Sequence, residues 1–111
     1  MDINTRKNGR VLVVGGNGRM DAVTAPQFDK KFNELVSQGE NSFILDFSGV
    51  EYISSAGLRS ILAFSKLLKT REGRSVISGL HGPVKDVFKM SGFYSILDIC
   101  DSEKAAIDLF K

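Results

Sequence analysis

The run "SFILDF" at residues 42–47 is apolar at consecutive positions instead of alternate ones. A strand of that kind is buried on both faces, which suits a sheet covered by helices. Three more short runs rich in β-branched residues follow the same plan: "RVLVV" at 10–14, "SVISG" at 75–79 and "SILDI" at 95–99. The stretches between them read as helices, and strands alternating with helices predict an α/β fold. The polar start, residues 2–8, fits an edge strand or a loose end.

Each expected helix carries boundary signals. Thr24 opens the first, because "TAPQ" has the form of a capping box with Gln27 three residues on. Pro26 falls in the first turn, where a missing N–H costs nothing. Phe28, Phe32, Leu35 and Val36 form one apolar face, and Gly39 is the stop. The second helix runs from Ser55 to Leu68, with Leu58, Ile61, Leu62 and Leu68 on one side. The third lies within 81–92, with Pro83 near its start and Gly92 after its end. Ser102 caps a fourth, in which Ala106, Leu109 and Phe110 point inward. "GGNG" at 15–18 reads as a hairpin-like or irregular turn closing the first apolar strand, and "SGVEYI" at 48–53 as a turn and lead-in to the second helix.

At 111 residues, with 42% hydrophobic and 25% charged residues, the chain is expected to form one soluble domain over 1–111. Fifteen basic and thirteen acidic residues are mixed along it, for a net charge of +2. No basic block is available to track a phosphate backbone, so no direct nucleic-acid partner is expected. No apolar run approaches the roughly 18 residues that span a bilayer. The first residues do not read as a signal peptide, and the single cysteine, Cys100, cannot form an internal disulfide. The expectation is a cytoplasmic protein.

Catalytic constellations are hard to assemble from this chain. A G-x-G-x-x-G turn would need glycine at position 21, where Asp21 stands, and an acid there repels a pyrophosphate. The one histidine, His81, lies in a turn entering a helix and reads as a surface or capping residue. Around Ser54 and Ser55, Ile53 stands where a nucleophile elbow requires glycine. Acid beside Cys100 should raise its thiol pKa, and one His with one Cys builds no zinc set. No enzyme activity, metal or cofactor is expected.

Ser54 and Ser55 remain. Either would serve as a helix N-cap, accepting a bond from a free N–H of the first turn. The same geometry leaves a serine exposed beside first-turn amides and the positive end of the helix dipole, where a phosphate would be well accommodated. Gly57 removes a side chain where a modifying enzyme or partner would approach, and Arg59 lies four residues after Ser55.

Three segments in order resemble the STAS domain, specifically the bacterial anti-sigma factor antagonists: "GRMDAVTAPQF", "ILDFSGVEYISSAGLRSIL" and "GPVKDVFKMSGFYSIL". The resemblance covers nearly the whole chain. It implies an α/β STAS fold, a small mixed sheet of four to five strands with about four helices mainly on one face. It also implies a non-catalytic protein of a partner-switching circuit, whose partners are an anti-sigma factor that is also a serine kinase and a PP2C-type phosphatase. The unphosphorylated form binds the kinase and releases its target; phosphorylation ends that binding, and the phosphatase restores it. Aligned on Gly57-Leu58, the family's phosphoacceptor falls on Ser55, with Ser54 the second choice. This chain has Ser54 where the family often carries an acid, and Ala56 after the acceptor. Asp21 matches the acid before the family's first helix, and Asp21, Ser54, Gly57, Leu58 and Arg59 are the expected partner-binding positions. STAS domains also occur as sensors, so the alternative is a module that binds a small ligand or nucleotide. Monomer and weak dimer both stay open.

Overall fold

The computed structural model describes residues 1–111. Its strands are β1 (Asp2–Asn8), β2 (Val11–Met20), β3 (Ser42–Asp46), β4 (Val50–Ile53), β5 (Arg74–Ser78) and β6 (Asp98–Cys100). The helices are α1 (Ala25–Ser37), α2 (Ser55–Thr70), α3 (Gly82–Met90) and α4 (Glu103–Asp108). Strand order is β1-β2-β3-β5-β6, with β4 beside the far end of β2. β1 is antiparallel to β2, and every other pairing is parallel. The expected mixed sheet with helices mainly on one face is the architecture found, with six strands where four to five were expected.

Both faces of the sheet are covered, as the consecutive apolar runs require. On one face Leu12, Val14, Phe43, Leu45 and Ile77 meet the apolar sides of α1, α2 and α3. There Phe64 of α2 stacks on Phe32 of α1 at 4.1 Å between ring centres and meets Phe43 edge-on at 5.0 Å. On the other face Val11, Val13, Ile44 and Val76 lie under Ala106 of α4. Side chains alternate between the faces along each strand, so Phe43, Ile44 and Leu45 serve both cores in turn. α4 is also held by polar contacts. Arg6 grips Glu103 with both terminal guanidinium nitrogens, and Asn8 donates to the same carboxylate at 2.9 Å. Arg10 and Arg74 donate to the carbonyls of Phe110 and Leu109 at 2.6 and 2.7 Å.

Several local expectations give way. "GGNG" is no turn: β2 continues through it, pairing with β3 up to Gly15 and with β4 from Gly18 onward. The register shifts between Gly18 and Arg19, and Gly18 has φ 107°, a bulge geometry that glycine adopts without strain. Gly16 makes room for helix packing, since a Cβ there would sit 2.9 Å from the Phe28 ring. "SGVEYI" contains the strand β4, whose exposed Glu51 and Tyr52 give it no apolar signature. The last strand is Asp98–Cys100 and not 95–99; a 3-10 turn over Phe93–Ser95 precedes it and leaves Ile96 51% exposed. Leu109 is exposed as well, because α4 ends at Asp108. Thr24 does stand at the N-cap of α1, but its backbone has helical angles and its side chain makes no capping bond; its hydroxyl donates to the Arg19 carbonyl at 2.8 Å.

Candidate functional site

The site forms where β2 and β4 end beside the start of α2. Ser54 donates its amide to the Met20 carbonyl at 2.9 Å, which ties the last residue of β2 to the residue before α2. This bond brings the Asp21 loop next to the two serines, which stand more than thirty positions later in the chain.

The serines divide the work. Ser54 is extended, with φ −95° and ψ 174°, and its Oγ accepts the Gly57 amide at 3.3 Å while its carbonyl accepts the Leu58 amide at 2.9 Å. Ser54 is therefore the N-cap. Ser55 is the first helical residue, is exposed, and its hydroxyl makes no hydrogen bond within the chain. The amides of Ser55 and Ala56 are not used by the cap. The arrangement offers one free hydroxyl at the positive end of a 16-residue helix, with open N–H groups beside it.

Gly57 is buried and does not open space for another molecule. A Cβ there would lie 2.8 Å from both the Met20 carbonyl oxygen and Ile53 Cγ1, so the glycine is what lets α2 seat on the end of β2. Leu58 is half-buried against the main core, and Arg59 is exposed. Asp21 shapes its own loop. Its Oδ1 accepts the amides of Val23 and Thr24 at 3.0 and 3.1 Å, and its own amide donates to the Thr24 hydroxyl at 2.8 Å. The Thr24 N–H foremost, then the Val23 N–H, the Thr24 hydroxyl and the charge of Arg19, hold its carboxyl below the ordinary aspartate value.

Two further features mark this end. Arg19 lies with its guanidinium 4.1 Å from the centre of the Tyr52 ring, its Nε 3.7 Å from the Asp21 carboxylate, and Val23 beside it is 79% exposed. The second is a groove of about 660 Å³ between α1 and α2, floored by Phe64 and Leu67. Asp29 and Asn33 line one wall, Ala56 and Arg59 the other. Neither feature has a local signal, because each joins residues from separate elements. The remaining candidates stay apart from the site. His81 is exposed and its Nε2–H donates to the Ser48 carbonyl at 2.9 Å, with no capping bond. Burial foremost, with Asp98 and Asp101, pushes the Cys100 thiol up. No helix is long and apolar enough to cross a membrane.

The STAS domain family model matches residues 2–106. Over its full length the chain is 34% identical to BtrV of Bordetella bronchiseptica, assigned as an anti-sigma factor antagonist, and covers 96% of that protein. This chain belongs to the STAS family of anti-sigma factor antagonists. Members of that family are regulators and not enzymes. Solved structures agree on the fold of this antagonist. An anti-sigma factor antagonist assignment from Thermotoga maritima superposes with a TM-score of 0.90 at 23% identity, over 96% of this chain and 92% of that one. The Bacillus cell fate determinant SpoIIAA, solved in its phosphorylated form, gives 0.75 at 21% identity, over 99% and 100%.

Proposed function

We propose that the antagonist works as a phosphoswitch: unphosphorylated, it binds an anti-sigma factor that is also a serine kinase, and phosphate on Ser55 ends that binding. A PP2C-type phosphatase resets it. One observation carries the reading. Ser54 is consumed as the helix cap, while Ser55 presents an unbonded, exposed hydroxyl at the first position of α2. The name and solved forms of SpoIIAA add support, since that relative exists in unphosphorylated and phosphorylated forms. The partner-binding surface on this reading is the Asp21 loop together with the first turn of α2, through Ser54, Leu58 and Arg59; Gly57 serves it by seating the helix.

The switch needs no refolding. A phosphate adds a charge of about −1.5 to −2 at neutral pH. Desolvating such a charge in an interface without a partner costs roughly 2 to 5 kcal/mol. At tenfold per 1.4 kcal/mol that is a loss on the order of 30- to 5,000-fold in affinity.

Incubation with the cognate serine kinase and ATP, followed by mapping of the peptide spanning 51–62, tests the acceptor. Phosphate on Ser55 is expected, and no phosphate in this peptide overturns the assignment. Ser55→Ala should bind the kinase and resist release by ATP, whereas Ser55→Asp should bind poorly; equal binding by the two variants counts against an electrostatic switch. The groove between α1 and α2 favours a second reading, a module that senses a small ligand or nucleotide, because its volume lies within the usual range for such sites. A thermal shift with nucleotides and none with the kinase would select it.

A further inference from the structure

Two arginines stand at the switch end of the molecule, and they differ in how far they are committed. Arg19 is engaged from two sides, by the Asp21 carboxylate at 3.7 Å and by the Tyr52 ring at 4.1 Å. Arg59 is exposed on the wall of the α1–α2 groove and forms no ion pair. It lies one helical turn beyond Ser55, so their Cβ atoms are about 5 to 6 Å apart along the same face. An anion at position i with a cation at i+4 is the favourable order along a helix. Ala56, which lines the groove beside Arg59, is small, and Asp29 of α1 across the groove makes no hydrogen bond or ion pair.

We propose that Arg59 is a shared anion contact: in the unphosphorylated antagonist it receives an acidic side chain of the kinase partner, and after modification it is captured by the phosphate on Ser55. The inference rests on Ser55 being the acceptor. It adds a second way of breaking the complex. The phosphate repels the partner's acid and also removes that acid's counter-charge, so both effects act in the same direction. Arg59 meets the phosphate as a planar fork with two donors, which a lysine at the same place lacks.

The test installs phosphoserine at position 55 during translation, so it does not depend on which serine a kinase selects. The second pKa of a phosphoserine is ordinarily about 6, and 31P NMR follows it directly. With Arg59 present that pKa should lie about half a unit below its value in Arg59→Gln, with Arg59→Lys between the two. The other charged groups at this end, Arg19, Asp21 and Asp29, are common to all three proteins, so the difference isolates Arg59. The same pKa in wild type and Arg59→Gln overturns the capture. Binding of the unphosphorylated proteins to the serine kinase partner supplies the other arm. Arg59→Gln should bind about tenfold more weakly, the loss of one charged contact. Undiminished binding overturns the shared contact. A normal 31P shift combined with no kinase modification of Ser55 would count against the phosphoswitch alone.

Discussion

At the scale of single residues, this end of the antagonist is built from atoms placed too close for substitution. Gly57 is the clearest case: its missing Cβ is the space filled by the Met20 carbonyl and the Ile53 side chain. Gly57→Ala should destabilise the protein by about 1 to 3 kcal/mol, since backbone cannot retreat as a side chain can. Urea unfolding would show it, and an unchanged midpoint would refute the close packing. Asp21 sets a pH dependence. Its carboxyl titrates below the unfolded value of about 3.9, so on acidification the unfolded chain takes up this proton first. Its contribution is therefore complete above about pH 5 and is lost as pH falls through the folded value. Asp21→Asn should be less stable than wild type at neutral pH, with the gap closing below about pH 4. A gap that is constant from pH 3 to 7 would contradict the hydrogen bonds assigned to this carboxylate.

At the scale of elements, the start of α2 separates a capping serine from one whose hydroxyl is left free. Ser54→Ala removes the N-cap and should cost about 1 kcal/mol. Ser55→Ala removes a hydroxyl with no bond in the folded chain and should change stability by less than about 0.5 kcal/mol. Thermal melts of the two variants are a direct check, and a reversed order would exchange their roles. The tandem "SSAG" announces a helix start without ranking its serines, because either has the chemistry of a cap. The backbone decides: Ser54 is extended and tied to Met20, while Ser55 has already entered the helix. The same limit explains Thr24. "TAPQ" has the composition of a capping box and Thr24 takes the N-cap position, but its hydroxyl is engaged by the Asp21 amide and the Arg19 carbonyl and makes no capping bond.

At the scale of the whole molecule, two cores of unequal size share one sheet. The larger lies under α1, α2 and α3, the smaller under α4. Ala106 is fully buried at the centre of the smaller one, against Val11, Val13, Ile44 and Val76. Ala106→Asp should lift α4 and cost about 3 kcal/mol or more, because the charge finds no partner there. Such a variant should bind a hydrophobic dye while still seating α2 and the Asp21 loop, which pack on the opposite face. Retention of wild-type stability would show that α4 does not cover this face. The sheet also positions the site. β2 spans two pairings, with β3 and then with β4, and its glycines carry it across the junction. That continuity delivers Met20 and Asp21 to the first turn of α2.

By itself the sequence determined the α/β class, the four helices and the family, through apolar runs, helix faces and three segments in register. Those signals are local, or repeat at fixed spacing, and so survive in one dimension. It also narrowed the proposed acceptor to Ser54 or Ser55. The tertiary structure decided what depends on meetings between distant residues. It ran a strand through "GGNG", because Gly16 must clear Phe28 and Gly18 must bulge toward β4. It showed β4, a four-residue strand whose pairing rather than its composition makes it one. It also set Arg59 apart from Arg19, since Tyr52 and Asp21 reach Arg19 only once the sheet has brought β2 and β4 together.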